Sequence, residues 1–123
     1  MRSEIKKFDS AAEFFTPERC WIVETWSDDS MSIARARVEP GVTTAWHALD
    51  GVDEQYIIVT GRGRMELGDT APTAVGPSDT VRIPAGVPQR VTNVGQTDLV
   101  FFCVCTPRFQ PDCYRDLESA QDA

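Results

Sequence analysis

Between residues 40 and 95 the chain is broken by seven turn signals: Pro40-Gly41, Asp50-Gly51, Gly61-Arg62-Gly63, Gly68-Asp69, Gly76-Pro77, Pro84-Ala85-Gly86 and Asn93-Val94-Gly95. A chain interrupted that often has no room for long helices. The stretches between or beside the turns, 54–59, 64–67, 73–75, 80–83, 89–92 and 99–105, are rich in β-branched and aromatic residues and read as short strands. Met31–Val38 shows the period directly. Ser32, Ala34, Ala36 and Val38 share one face, while Met31, Ile33, Arg35 and Arg37 share the other. Small residues opposite arginines suit a strand whose small-residue face meets another sheet. Many short strands with such punctuation imply an all-β sandwich or barrel.

The ends carry less pattern. Ile5–Phe8 reads as an extended segment, and Asp9-Ser10 offers a cap for one or two helical turns through 11–15, closed by Pro17. Cys20–Trp26 reads as a strand and Ser27–Ser30 as a turn. After Pro107 the chain turns polar, with a brief helix expected over Pro111–Leu117. The organisation expected is an N-terminal extension over 1–19, a barrel over 20–118 and a disordered tail over 119–123.

A length of 123 residues suffices for one domain with a real core. The net charge of −7 argues against nucleic acid and anionic membrane, both of which reward clustered Lys and Arg. No run of 18 apolar residues occurs, and Met1–Phe8 is charged rather than signal-like, so a cytoplasmic location is the default expectation. Cys20, Cys103, Cys105 and Cys113 form no CxxC pair and no zinc-finger spacing. Reduced, packed thiols are the ordinary reading; Cys103 and Cys105, two apart, share a strand face.

The segment 41–93 holds the chemistry. It begins Gly41, then His47, Leu49, Glu54 and Gly61, and ends Pro84, Gly86, Gln89 and Asn93. This spacing resembles the two motifs of the cupin superfamily, G(X)5HXH(X)3-4E(X)6G and G(X)5PXG(X)2H(X)3N. Leu49 stands at the second histidine of the first motif, Gln89 at the histidine of the second, and Ser78 at its opening glycine. The resemblance implies a double-stranded β-helix, or jelly-roll, barrel with a short N-terminal strand or helix and a short C-terminal helix. It implies inward positions 47, 49, 54 and 89 around a divalent metal such as Fe, Mn, Ni or Zn. Relatives of this kind include dioxygenases, isomerases, polyketide-cyclase-like proteins, lyases and simple binders, so the fold alone does not select a reaction.

Two readings stay open. In the first, His47, Glu54 and Gln89 hold a metal weakly, and Glu54 or His47 moves a proton on a chelating substrate in an oxygenase, isomerase or cyclase type of reaction. In the second, the same residues form a metal-free polar cluster, with Glu54 compensated by a pairing with His47, the one histidine in the chain. The barrel would then bind a small ligand without catalysis, Leu49 making the pocket floor apolar. Tyr56, on the face of Glu54, is a further ligand-binding candidate with Leu49 and Gln89. Trp46 and Arg90 should face away from the interior, and Asn93 should brace a strand end. One histidine and no nucleophile elbow leave no catalytic triad, and Glu54 is the sole inward acid that the strand pattern places. The outward set Gln55, Ile57 and Val59 is apolar enough to be covered in a homodimer, by a segment such as Cys20–Trp26.

Overall fold

The strand alternation folds into two antiparallel sheets, seen in a computed structural model that describes residues 2–118. The larger sheet runs β1 (Phe14–Phe15), β2 (Trp21–Ser27), β3 (Ser32–Val38), β10 (Leu99–Thr106), β5 (Asp53–Thr60) and β8 (Thr80–Ile83). The smaller runs β11 (Tyr114–Asp116), β4 (His47–Leu49), β9 (Gln89–Asn93), β6 (Gly63–Leu67) and β7 (Thr73–Val75). From β3 to β6 and again from β7 to β11 consecutive strands alternate between the sheets, which gives the jelly roll that the motif spacing implies. The central strands begin and end within a residue or two of the expected stretches, because the turns punctuate them so closely.

Burial follows the two-residue period. On β5, Glu54, Tyr56 and Ile58 are buried, while Gln55, Ile57 and Val59 face outward. Ile58, Ile83, Val91, Leu99 and Val38 are almost fully enclosed and pack with Met65 between the sheets. Burying each such side chain is worth about 1.5–3 kcal/mol, so this cluster anchors one end of the barrel. The other end is held by Leu49, Val52, Cys105 and Cys113.

Two turn positions show why the motifs need glycine. Gly61 has φ +95°, and a Cβ there would lie 2.7 Å from the carbonyl oxygen of Asp98. Only a residue without a side chain allows that approach. Ser78, standing where the family has a glycine, keeps the left-handed backbone with φ +75°.

Both ends differ from expectation. Asp9 caps as foreseen, its Oδ1 accepting from the Ala11 amide at 2.9 Å, but only a 3-10 turn over Ser10–Ala12 follows. Phe14 and Phe15 then pair with Ile22 and Trp21 in the sheet. Tertiary contacts outweigh so short a helix. Glu13 is drawn to Arg37, at 2.7 Å from Nη2, and the Phe15 ring meets Trp21 edge-on at 5.0 Å. Ile5–Phe8 joins no ladder; Phe8 instead lies beneath the Arg35 guanidinium at 4.6 Å. The arginines of β3 thus fasten the N-terminal arm to the outer sheet face.

At the other end, the helix expected over 111–117 is a 3-10 turn, Pro111–Cys113, followed by β11. Strand pairing prevails because β4 would otherwise expose its edge. Tyr114 pairs with Leu49, and Asp116 with His47. The tail expected at 119–123 lies outside the described residues. Among the described residues no helix is long and apolar enough to cross a membrane.

Candidate functional site

The small side chains of β3 leave space between the sheets. Ser32, Ala34 and Ala36 look into a cavity of about 410 Å³ rather than against a facing strand. His47 and Leu49 enter it from β4, Glu54 and Tyr56 from β5. The sheets therefore bring an imidazole and a carboxyl to one cavity from opposite sides. Gln89 is wholly buried and does not line the cavity; it stands behind the wall, paired with His47 across β4 and β9.

A chain of hydrogen bonds runs through that wall. Tyr56 donates its hydroxyl to Gln89 Oε1 at 2.6 Å, and Gln89 donates from Nε2 to Glu54 Oε1 at 2.8 Å. The phenol fixes the amide orientation, since its proton needs an oxygen, and the amide nitrogen is thereby turned toward the carboxyl. The other carboxyl oxygen, Oε2, faces the Cys105 thiol at 3.6 Å. Burial pushes the Glu54 carboxyl above the ordinary carboxylate range, against the smaller opposing pulls of Gln89 and His47. Burial likewise drives Tyr56 well above the ordinary phenol range, so it stays a donor.

His47 is 4% exposed, and its surroundings define its tautomer. Nδ1 lies 2.8 Å from the carbonyl oxygen of Ala45, which can only accept, so Nδ1 carries the proton. The ring stacks on Tyr114 at 5.0 Å with 15° between planes. Nε2 remains the nitrogen offered to a ligand. The Glu54–His47 pair expected from the sequence is replaced by other partners. Glu54 bonds Gln89, whereas the carboxylate beside His47 is Glu18, with Oε2 at 3.4 Å from Nδ1.

Glu18 was not legible as a site residue. It sits in the loop between β1 and β2, where no strand period assigns a direction. Yet it lines the cavity, and burial raises its carboxyl above the ordinary range while His47 opposes the shift. Trp46 and Arg90 lie away from the cavity, as foreseen, with the guanidinium 5.2 Å over the indole and paired to Glu66. Asn93 braces the barrel, donating from Nδ2 to the carbonyls of Val38 at 2.9 Å and Thr97 at 2.8 Å.

The four cysteines are free and buried, and Cys20, Cys103 and Cys105 face the cavity. Burial pushes the Cys20 thiol up to about 12 and raises Cys103 and Cys105 as well. These are protonated, packed thiols at neutral pH rather than nucleophiles or soft ligands.

The donor set does not fit the metal that the motifs imply. Gln89 turns its amide nitrogen to Glu54 and its oxygen to the Tyr56 hydroxyl, so its coordinating atom is engaged in the wall and not presented to the cavity. Leu49 offers none either. Among the described residues no three His, Cys, Asp or Glu side chains are grouped to hold a metal ion. Of the four motif positions an imidazole and one hydrogen-bonded carboxyl remain, and Glu18 lies against the Nδ1 side of the ring rather than beside Nε2, which leaves too few ligands for a stable first-row site.

Known proteins share this architecture. Residues 34–105 match a family model described as "Cupin domain". The uncharacterized protein MJ1618 of Methanocaldococcus jannaschii is 33% identical over 87 residues, spanning 71% of this chain and 69% of that protein. The structure of KdgF from Halomonas sp. superposes with a TM-score of 0.78 at 13% identity, covering 86% of this chain and 96% of that one. Streptomyces Pac13 in a form with uridine gives 0.76 at 16% identity, covering 94% and 91%. At such identities the structural likeness is one of fold.

Proposed function

The chain belongs to the cupin family, and on that premise we propose that it binds a small organic molecule in the barrel cavity and moves protons on it with His47 and Glu54, without a resident metal. The observation that carries this reading is the Tyr56–Gln89–Glu54 chain, which consumes the would-be metal ligand in orienting an acid. With Oε1 held as an acceptor, a protonated Glu54 keeps its proton on Oε2. His47, with Nδ1–H fixed on Ala45, offers Nε2 as the base.

The chemistry is that of paired acid and base. Nε2 takes a proton from carbon beside a carbonyl, and Glu54 gives its proton to the carbonyl oxygen, leaving a neutral enol. On an α-hydroxy carbonyl this enol is an enediol; the imidazolium then returns its proton to the former carbonyl carbon while Glu54 takes the proton of the other hydroxyl, which isomerises the substrate and restores both groups. A dehydration, the reaction named for Pac13, also needs one group to take a proton and another to give one. Oxygenase chemistry receives no support from this donor set.

Proton exchange tests the reading. A panel of small aldehydes and ketones in D2O, with EDTA present, is expected to include compounds whose α-protons exchange faster with protein. Glu54→Gln and His47→Gln should each remove that acceleration. Acceleration that persists in both variants contradicts the assignment.

A second reading is binding without turnover, favoured by the apolar wall that Leu49, Phe101 and Ile22 contribute. It predicts calorimetric binding that EDTA leaves unchanged, with no exchange above background. As to assembly, Ile57 and Val59 remain 42% and 47% exposed on the outer face of β5. We propose that a second copy covers them in a homodimer. Light scattering should return the dimer mass at tens of micromolar, roughly where a moderate interface of this kind associates, and a monomer mass contradicts it.

A further inference from the structure

We propose that Glu18 is the selectivity residue of the cavity, and that together with Glu54 it makes the site accept neutral or cationic small molecules and reject anions. This rests on the proposed function above, and adds the chemical class of the ligand.

The loop carrying Glu18 is held in place from several sides. Its neighbour Arg19 adopts a left-handed backbone with φ +70°. The Arg19 guanidinium donates from Nε to the Thr43 carbonyl at 2.8 Å and from Nη1 to Glu118 Oε1 at 2.8 Å. The Glu18 carbonyl accepts from the Ala45 amide at 3.2 Å, and Thr16 Oγ1 donates to the Cys20 carbonyl at 2.9 Å. A non-glycine residue keeps a disfavoured backbone where its surroundings over-determine it. The result is a carboxyl 3.4 Å from His47 Nδ1, on the side of the ring opposite to catalytic Nε2.

Charge sets the class of ligand. No Lys or Arg side chain lines the cavity among the described residues; its ionisable carboxyls are Glu18 and Glu54, and its one basic group is His47. A bound anion would meet two carboxyls and no fixed cation. A bound cation would be met by the two carboxyls, in a cavity that Phe101, Tyr56 and Tyr114 also line.

The single histidine makes the test clean, since every imidazole nitrogen signal of the full chain belongs to His47. Benzylammonium, benzyl alcohol and benzoate have nearly one shape and three charges. Added to 15N-labelled protein at pH 7, benzylammonium and benzyl alcohol should shift the His47 signals at concentrations at least about tenfold below those benzoate requires, because an anion buried without a fixed cation keeps its desolvation cost. Glu18→Gln, which preserves shape, should shrink the benzylammonium-to-benzoate ratio several-fold. Benzoate acting at equal or lower concentration overturns the inference, and so does a ratio unchanged in Glu18→Gln. Silence from all three probes instead counts against the cavity as a binding site, and so removes the underlying reading along with this one.

Discussion

Gln89 donates to Glu54 at 2.8 Å while accepting from Tyr56 at 2.6 Å, so a position that holds a metal-binding histidine in the family motif here serves as a hydrogen-bond relay. Gln89 itself does not line the cavity, and its effect reaches the cavity through the two side chains it joins. Its components should therefore be separable by mutation.

Tyr56→Phe removes the donor and leaves the buried Gln89 oxygen without a partner. An unsatisfied buried acceptor costs about 1–3 kcal/mol, which urea denaturation of the full chain should register. The variant should also weaken whatever acceleration the parent shows on carbonyl α-protons, because Glu54 loses its fixed orientation. A stability change below about 0.5 kcal/mol would mean that the amide finds another donor.

Glu54 makes stability depend on pH in a definite direction. Its folded value is raised above the ordinary 4.5 by burial. Between those two values the native state holds more protons than the unfolded one, so stability falls as pH rises. The contribution is whole below pH 4.5 and is lost as pH climbs through the folded value. Glu54→Gln, which mimics the protonated acid, should match the parent near pH 4 and become progressively more stable than it at higher pH. A difference that stays flat from pH 4 to 8 contradicts the buried-acid account.

Leu49→His combined with Gln89→His restores the ligand types that the motif spacing implies. The double variant should take up stoichiometric Zn or Mn, read by elemental analysis after dialysis, where the parent retains far less. Equal metal content in both proteins would count against the relay as the reason for poor coordination.

Backbone conformation offers a test independent of the site. Ser78 holds φ +75°, which strains a residue with a Cβ. Ser78→Gly should raise stability by about 0.5–1 kcal/mol, the relief of strain exceeding glycine's added entropy in the unfolded chain. Gly61→Ala should do the reverse, by about 2 kcal/mol or more, because its Cβ would collide with the Asp98 carbonyl. Both shifts are measurable by thermal unfolding. Equal stability of the parent and both variants would contradict the conformations described.

The sequence discloses what periodicity and turns can encode. The alternation of Ser32, Ala34, Ala36 and Val38 foretells an inward face, and the Gly61 and Pro84-Ala85-Gly86 turns fix where strands end. It cannot say that small residues on that face leave a cavity, since volume depends on what faces them across the barrel. The pairing of Glu54 with Gln89 rather than His47 was hidden for a similar reason. Strand direction places side chains on a face, but which of several inward groups touch is decided by the stagger of β4, β5 and β9. Glu18 was invisible because a loop has no period. Its place follows from Arg19, Thr43 and Glu118, three residues far apart in the chain. The terminal strands β1 and β11 were missed where weak helix signals lost to sheet edges that needed partners.

The claim on which the account turns is that His47 keeps a protonated Nδ1 and a metal-free Nε2. Two-dimensional 15N spectra of its ring, recorded as Zn2+ is added to and beyond one equivalent, read both nitrogens at once. An Nδ1–H tautomer is expected, with signals that stay where they are throughout the titration. A stoichiometric displacement of the Nε2 signal on adding zinc would show a working metal site and contradict it.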